Sequence, residues 1–276
     1  MVHARLSVNA LSSYRWPFEQ ELALWRELGL GWAGVIGAKL GDDPDAALAS
    51  MADAGIRVST VIAGGFDLNA PATWAATRAA LAGWIELAAR HRCWSLYITP
   101  GRTTGAPWRE VLDVFAEAVA ESAAHARAAG VRLAFEPSLS TGVSFVNTLR
   151  DAILVAERTG LGIVADLAHC WMERDLREVL AAAAPHIALV QVGDSAIGAV
   201  TSPGVPAAGG RLPFGEGDLP IARLLGEVRD CGYAGPIELE LPGPLGESEG
   251  YASVIRRGVA KADAMFRAVG LQESMP

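Results

Sequence analysis

Eight short aliphatic runs alternate with longer helical patterns along the chain, and this alternation constrains the fold more than any other feature. The predicted strands are Arg5–Asn9, Trp32–Ile36, Arg57–Ile62, Ser95–Thr99, Arg132–Glu136, Gly162–Asp166, Ile187–Gln191 and Pro236–Leu241. The predicted helices are Phe18–Leu28, Pro44–Ala54, Pro71–Arg90, Trp108–Ala129, Thr148–Thr159, Leu176–Ala184, Leu219–Arg229 and Tyr251–Val269. Alternating strands and helices favour a parallel sheet. Eight such units in 276 residues indicate an α/β fold with a single closed (β/α)8 barrel, and an open doubly wound sheet is the alternative.

We expect one domain over residues 1–276, because no Pro- or Ser-rich linker and no shift in composition divides the chain. The longest predicted loop is Gly193–Gly217, and loops of that length in a compact domain are usually functional. Asp43, before Pro44, and Asp218, before Leu219, are predicted to begin helices.

Composition narrows the classes of function. The net charge of −8 and the lack of a basic cluster argue against a nucleic-acid partner. The sequence contains no run of 18 apolar residues, so we expect no membrane span. The N-terminal stretch lacks the apolar core of a signal peptide. The cysteines Cys93, Cys170 and Cys231 are widely spaced, which is typical of a reducing compartment. We therefore expect a cytoplasmic protein, and a homo-oligomer stays open.

Polar side chains stand at the ends of four consecutive predicted strands. They are Glu136, Asp166, Gln191 and the pair Glu238 and Glu240, with His169 and Asp194 shortly after the sixth and seventh strands. In a (β/α)8 barrel the active site gathers at the carboxyl ends of the strands. Any one of these residues could instead cap a helix or pair with an arginine, but the set indicates a functional site.

Crowded carboxylates repel each other unless a cation neutralises them, so the set predicts a divalent metal. Gln191 interrupts an aliphatic strand, and a buried amide must find partners. Its carbonyl oxygen can be a neutral ligand; the alternative is a hydrogen-bonded polar residue inside the barrel. Glu136, Asp166, Gln191 and an acid of the eighth strand would make an all-oxygen site suited to Mg²⁺ or Mn²⁺. Glu238 and Glu240 face the same side, and periodicity does not choose between them.

Five sequence motifs resemble those of a known family: FEP, VADLAH, VQVGD, GGRLPFGEGDLP and CGYAGPIELEL. Together they resemble the xylose isomerase-like TIM-barrel superfamily, the AP endonuclease family 2 fold. This group includes sugar phosphate isomerases and epimerases, ketohexose 3-epimerases, inosose and 3-dehydroshikimate dehydratases, and the endonuclease IV group. The resemblance runs from about Leu133 to Leu241.

The resemblance implies one divalent metal held by a Glu, an Asp, a His and a Glu. Glu136 and Asp166 match the first two ligands, and the motif YxGPxxxE selects Glu240 over Glu238 as the last. Gln191 stands where the epimerases have His, and some dehydratase-like members resemble this chain in carrying Gln. His169 is similar to a histidine that contacts substrate, and Arg211 resembles an arginine that reaches substrate from the long loop. The endonuclease branch is set aside, because only His169 lies at a predicted strand mouth.

The implied function is a divalent-metal-dependent isomerase or epimerase acting on a keto-sugar or related polyol through an enediolate. Glu136 and Glu240 would exchange the proton, and His169 would donate to the developing oxyanion. A metal-dependent dehydratase, hence a lyase, and a non-catalytic ligand-binding barrel are the alternatives. Trp16 and Trp171 would line a sugar-sized pocket; the alternative is ordinary packing against neighbouring side chains.

Overall fold

The computed structural model describes residues 1–197 and 210–274. Its eight parallel strands form one closed barrel in chain order, as predicted. They are β1 (Leu6–Asn9), β2 (Trp32–Ile36), β3 (Arg57–Gly65), β4 (Leu96–Thr99), β5 (Leu133–Phe135), β6 (Gly162–Asp166), β7 (Ile187–Val192) and β8 (Ile237–Leu239). Residues 198–209, within the predicted loop Gly193–Gly217, lie outside the described residues.

Helices follow the strands, with two more than the sequence predicts. The α-helices of the described residues are α1 (Phe18–Leu28), α2 (Pro44–Asp53), α3 (Trp74–Arg90), α4 (Trp108–Ala128), α5 (Leu149–Thr159), α6 (Leu167–Cys170), α7 (Leu176–Ala183), α8 (Ile221–Asp230), α9 (Pro244–Glu249) and α10 (Tyr251–Ala268). The additional helices, α6 and α9, are short. Helix α6 begins directly after β6 because Asp166 accepts a hydrogen bond from the backbone N–H of Ala168, at 2.9 Å.

One of the two predicted helix starts is confirmed and the other is wrong. Asp43 caps α2, accepting from the N–H of Ala46 at 3.0 Å. Helix α8 begins at Ile221, and among the described residues no side chain caps it. Asp218 accepts instead from the N–H of Ile197, also at 3.0 Å, so it joins two parts of the preceding loop.

Two strands end earlier than predicted, and the change concerns candidate site residues. Strand β5 ends at Phe135 and β8 at Leu239, so Glu136 and Glu240 are the first residues beyond their strands. Each still donates its backbone N–H to the neighbouring strand, Glu136 to Ile98 at 3.3 Å and Glu240 to Val192 at 3.0 Å. Both acids therefore stand at the carboxyl ends of their strands, which is the part of the prediction that matters for chemistry.

The chain divides into two compact units: the first is Met1–Ser59 with Val190–Pro276, and the second is Thr60–Leu189. The single domain stays a prediction. In the second unit, a buried cluster at the strands is formed by Tyr97, Ala134, Val164, Ala188 and Leu189. In the first unit, Leu6, Val8, Ile237 and Leu239 are fully buried. Burying such aliphatic side chains supplies most of the driving force for folding.

The three cysteines are free. Within the described residues, every helix is too short or too polar to cross a membrane.

Candidate functional site

Glu136, Asp166 and His169, called here the Glu136 cluster, come together in the second unit. Strand β6 ends on Asp166, and helix α6 carries His169 one turn later. Nε2 of His169 lies 3.5 Å from Oδ2 of Asp166 and 3.8 Å from Oε1 of Glu136. One potential ligand atom from each of the three residues lies within 4.8 Å of the others. Three donors at this spacing can converge on one cation.

Burial differs among the three side chains. The Asp166 side chain is fully buried, whereas 14% of Glu136 and 24% of His169 is exposed. A buried carboxylate with two partly exposed partners leaves one side of the Glu136 cluster accessible to a small molecule. All three residues were predicted from the sequence as site residues, but His169 was predicted to contact substrate and not a metal. Its Nε2 faces both acids, so this geometry permits either role.

Ser138 is a neighbour of the Glu136 cluster that sequence reasoning missed. Its Oγ lies 3.2 Å from Nε2 of His169. The Ser138 backbone is fixed, because its N–H donates to Val146 at 3.0 Å and its carbonyl accepts from Asn147 Nδ2 at 2.6 Å. The one available signal was its position two residues after Glu136. The hydroxyl can hold the His169 ring in place or exchange a proton with it.

Gln191 and the two acids of the eighth strand lie together in the first unit. Gln191 is paired with Glu238 in the β7–β8 register, and its side chain is fully buried. Its Nε2 lies 3.1 Å from Oε2 of Glu238 and 3.2 Å from Oε1 of Glu240. Both acids thus face the same side, as the sequence predicted.

The carbonyl oxygen Oε1 of Gln191 is buried, and no residue that the structure describes forms a hydrogen bond with it. Two carboxylates beside the amide require its NH₂ group on their side, which fixes Oε1 on the other. An unpaired buried acceptor costs free energy, on the order of 1–3 kcal/mol. Such an atom is expected where another group supplies the missing interaction, and a cation is a suitable partner for a hard oxygen donor.

Glu238, whose role the sequence left open, is enclosed by hydrogen-bond donors inside the barrel. Its Oε2 accepts from Asn9 Nδ2 at 2.8 Å and its Oε1 from Ser59 Oγ at 2.5 Å. The Ser59 hydroxyl also contacts Ser7 Oγ at 2.7 Å. We call Ser7, Asn9, Ser59, Gln191 and Glu238 the Glu238 network. Burial raises the pKa of Glu238, while the hydrogen bonds from Ser59, Asn9 and Gln191 act in the opposite direction.

Asp194, the other undecided acid, organises the loop after β7. Its carboxylate accepts hydrogen bonds from four backbone N–H groups, at 2.8 to 3.1 Å, those of Ser195, Gly215, Gly217 and Leu219. Asp194 is 1% exposed. A carboxylate saturated in this way joins the described ends of the loop and is structural.

The three predicted substrate-binding residues are placed as follows. Trp16 is half-buried and packs edge-to-face on Tyr251, with ring centroids 5.7 Å apart. Arg211 is half-buried, and its backbone N–H donates to Pro242 at 2.8 Å. Trp171 is half-buried directly after α6. Contact of these side chains with a substrate stays a prediction.

Comparisons with known proteins agree on the fold. The family model described as xylose isomerase-like TIM barrel matches residues 22–260. Similar solved structures include the IolI protein with a bound zinc atom, at 16% identity and a TM-score of 0.83, covering 97% of this chain and 100% of that one. The D-psicose 3-epimerase from Clostridium cellulolyticum H10, with D-tagatose, has 15% identity and a TM-score of 0.73, with coverage of 96% and 98%.

A third similar structure is the probable 3-DHS dehydratase AsbF from Bacillus anthracis. It has 15% identity and a TM-score of 0.75, covering 93% of this chain and 97% of that one. No curated protein matches the sequence significantly. Since the family model covers most of the residues, the chain belongs to the xylose isomerase-like TIM-barrel family.

Proposed function

We propose that this protein is a divalent-metal-dependent isomerase or epimerase that acts on a keto-sugar or a related polyol. The observation that carries the proposal is the convergence of Glu136, Asp166 and His169 where β5 and β6 end. This is the end of the strands at which barrel enzymes of this architecture act. The similarity to a D-psicose 3-epimerase supports a sugar as the substrate class.

The proposed metal ligands are Glu136, Asp166, Gln191 and Glu240. The unpaired Oε1 of Gln191 supports its inclusion, and an oxygen donor set favours Mg²⁺ or Mn²⁺. His169 is a further candidate, and a nitrogen ligand would move the preference toward Zn²⁺; IolI is a zinc-containing neighbour. When bound, the metal would polarise the substrate carbonyl and lower the cost of forming an enediolate.

The side chains divide the proton transfers between them. One of Glu136 and Glu240 removes the proton from the carbon beside the substrate carbonyl, and the other returns a proton. Return to the opposite face of the same carbon gives an epimer, and return to the neighbouring carbon gives an aldose–ketose isomer. His169, with Ser138 beside its Nε2, donates to the oxygen on which negative charge develops.

Dehydration is the second candidate, and Gln191 is the observation that favours it. An amide replaces the histidine expected at this strand of the epimerases, and a probable 3-DHS dehydratase is a structural neighbour. The same first proton removal would then be followed by expulsion of a β-hydroxyl group as water. In that reaction His169 or one of the two glutamates would protonate the leaving hydroxyl.

One experiment tests both candidates. The purified protein, reloaded with Mn²⁺ or Mg²⁺ after chelation, is assayed in D₂O with ketoses, inososes and 3-dehydroshikimate. Deuterium at the carbon beside the carbonyl supports epimerisation or isomerisation, and release of one water per turnover supports dehydration. The chelated protein is the control. A protein that binds no divalent metal and turns over none of these compounds contradicts the proposal and favours a ligand-binding barrel.

A further inference from the structure

We infer that Glu238 is a positioning residue that fixes the amide of Gln191 with its carbonyl oxygen as the free donor atom. The inference rests on the proposed function, because it gives that oxygen a metal to meet. It assigns no proton transfer and no metal contact to Glu238 itself.

Residues of β1 and β3 hold the Glu238 carboxylate, and β2 leaves it space. Asn9 of β1 donates to Oε2, and Ser59 of β3 donates to Oε1. Strand β2 contributes space: a Cβ at Gly34 would lie 2.8 Å from Cδ of Glu238 and 3.0 Å from Nδ2 of Asn9. Real Cβ atoms essentially never approach another heavy atom to 2.8 Å, so the carboxylate occupies a place that only glycine leaves open.

The side-chain amide of Asn9 is itself fixed in one orientation. Its Oδ1 accepts from the backbone N–H of Leu11 at 2.9 Å. Nδ2 must therefore point to Glu238, and both the Asn9 and the Gln191 amide nitrogens meet at the same oxygen, Oε2. The lone pairs of Oε2 are occupied by two donors, and neither amide can turn without losing its bond.

A reversed Gln191 amide would bring its carbonyl oxygen against Glu238 and Glu240. Both oxygens of Glu238 already accept hydrogen bonds, from Asn9 and Ser59, so a carbonyl oxygen turned toward them would lose the bond that the Gln191 NH₂ group makes there. Losing that bond is unfavourable at a fully buried site. The reversed amide would also present NH₂, which cannot ligate a cation, where Oε1 now lies. Glu238 thus selects an oxygen donor at Gln191 without contacting the metal, in the way that neighbouring groups orient metal ligands.

The structure suggests a matched pair of variants. In Glu238→Gln, the amide oxygen can replace Oε2 and keep both Asn9 and Gln191, while the new NH₂ donates to Ser59 Oγ. In Glu238→Leu, Gln191 loses this acceptor. The metal-free full chain is titrated with Mn²⁺ alone. We expect Glu238→Leu to weaken Mn²⁺ binding about 10–100-fold. Glu238→Gln should bind Mn²⁺ nearly as tightly as the wild type does. In a Gln191→Leu background, Glu238→Leu should cause little further loss of Mn²⁺ affinity.

A second readout needs no metal. The side-chain NH₂ signal of Gln191, assigned by its loss in Gln191→Leu, is followed by amide proton exchange. Slow exchange in wild type and Glu238→Gln, with fast exchange in Glu238→Leu, supports the inference. Should Glu238→Leu fail to fold, Ser59→Ala removes one of the two anchors and is expected to accelerate the exchange less. Glu21→Met, which removes another buried carboxylate, should change stability but neither readout.

The outcomes separate this inference from the proposed function. If wild type binds Mn²⁺ and Glu238→Leu binds it equally well, the positioning role is wrong and the metal site stands. If wild type binds no divalent metal, the proposed function fails, and the exchange of the Gln191 amide decides whether Glu238 fixes its orientation. Equal exchange rates in wild type and Glu238→Leu overturn the inference whatever the metal result.

Discussion

Gln191 and Glu238 are direct partners in the β7–β8 register, and the Gln191 amide nitrogen lies 3.1 Å from Oε2 of Glu238. An amide in a barrel interior ordinarily uses all of its hydrogen-bonding groups. Within residues 1–197 and 210–274, the amide nitrogen contacts two carboxylates and the amide oxygen has no hydrogen-bond partner. This imbalance leaves one buried acceptor open to a group that the described polypeptide does not supply.

Replacing Gln191 tests whether its oxygen is a metal ligand. Gln191→Leu removes the donor atom, so we expect metal affinity and activity to fall together. Gln191→His supplies a softer nitrogen donor and should shift the preference from Mg²⁺ toward Mn²⁺, Co²⁺ or Zn²⁺. The measurement is a titration of each metal-free variant with each ion. Unchanged affinity in Gln191→Leu would remove Gln191 from the ligand set.

Replacing Glu136 or Glu240 tests the proposed acid–base pair. The amide of Glu136→Gln or Glu240→Gln cannot exchange a proton, so turnover should fall by about 10²–10⁴ in either variant. Since both residues are also proposed ligands, each variant is assayed at saturating metal. The control is Glu157→Gln, which changes an exposed carboxylate of α5. Near-normal turnover of both site variants excludes these side chains from the chemistry.

Glu21 gives a prediction about stability and pH. The side chain is 1% exposed and accepts hydrogen bonds from Lys39 and from Ser13 Oγ, the latter at 2.7 Å. Burial raises its pKa from 4.5 to about 7, although the bonds from Lys39 and Ser13 lower it. Between these two values the folded protein holds a proton that the unfolded chain releases. The free energy of unfolding should therefore fall as pH rises through this window, by about 1–3 kcal/mol, and level off above it.

Denaturant unfolding at several pH values between 5 and 8 measures this effect. Glu21→Gln cannot titrate, so the difference between wild type and this variant isolates the contribution of Glu21 from that of other groups. A difference that stays constant with pH, or that grows in favour of wild type as pH rises, contradicts the prediction.

Asp194 gives a prediction about the loop after β7. Removing its carboxylate in Asp194→Ala leaves four backbone N–H groups without their acceptor, among them those of Gly215 and Leu219. We expect a loss of about 2–4 kcal/mol in the free energy of unfolding, because several hydrogen bonds to a charged group are lost together. Asp218→Ala removes one exposed bond, the one that the described residues show, to Ile197, and should cost less than 1 kcal/mol. Equal losses in the two variants would show that Asp194 has no special part in the loop.

Much of the fold was predictable because its signals are local. The alternation of aliphatic runs with helical patterns follows from which residues are buried, and it predicts both the strand order and the closed barrel. The misplaced ends have tertiary causes. Asp218 resembles a helix cap in sequence, yet Ile197, more than twenty residues away, takes its carboxylate. Helix α6 was not predicted because it is only four residues long.

The candidate site was predictable where barrel topology alone brings residues together. Glu136, Asp166 and His169 follow from strand ends and from the family motifs. The Glu238 network did not, since Asn9, Ser59 and Gln191 come from three different strands and no spacing in the sequence connects them. Ser138 was missed for a related reason: a serine in a loop gives no signal until the path of the loop back to His169 is known.

The space that Gly34 leaves for Glu238 has an evolutionary consequence. Neither residue is free to vary alone, because a side chain at position 34 collides with the carboxylate, and a short residue at 238 leaves a void beside β2. Related proteins are therefore expected to change the two positions jointly, with a small residue at the first whenever the second is long and acidic. In lineages where an apolar combination replaces the pair, the residue at position 191 is no longer required to be an amide. The pair is therefore expected to indicate which relatives keep an amide oxygen at this position.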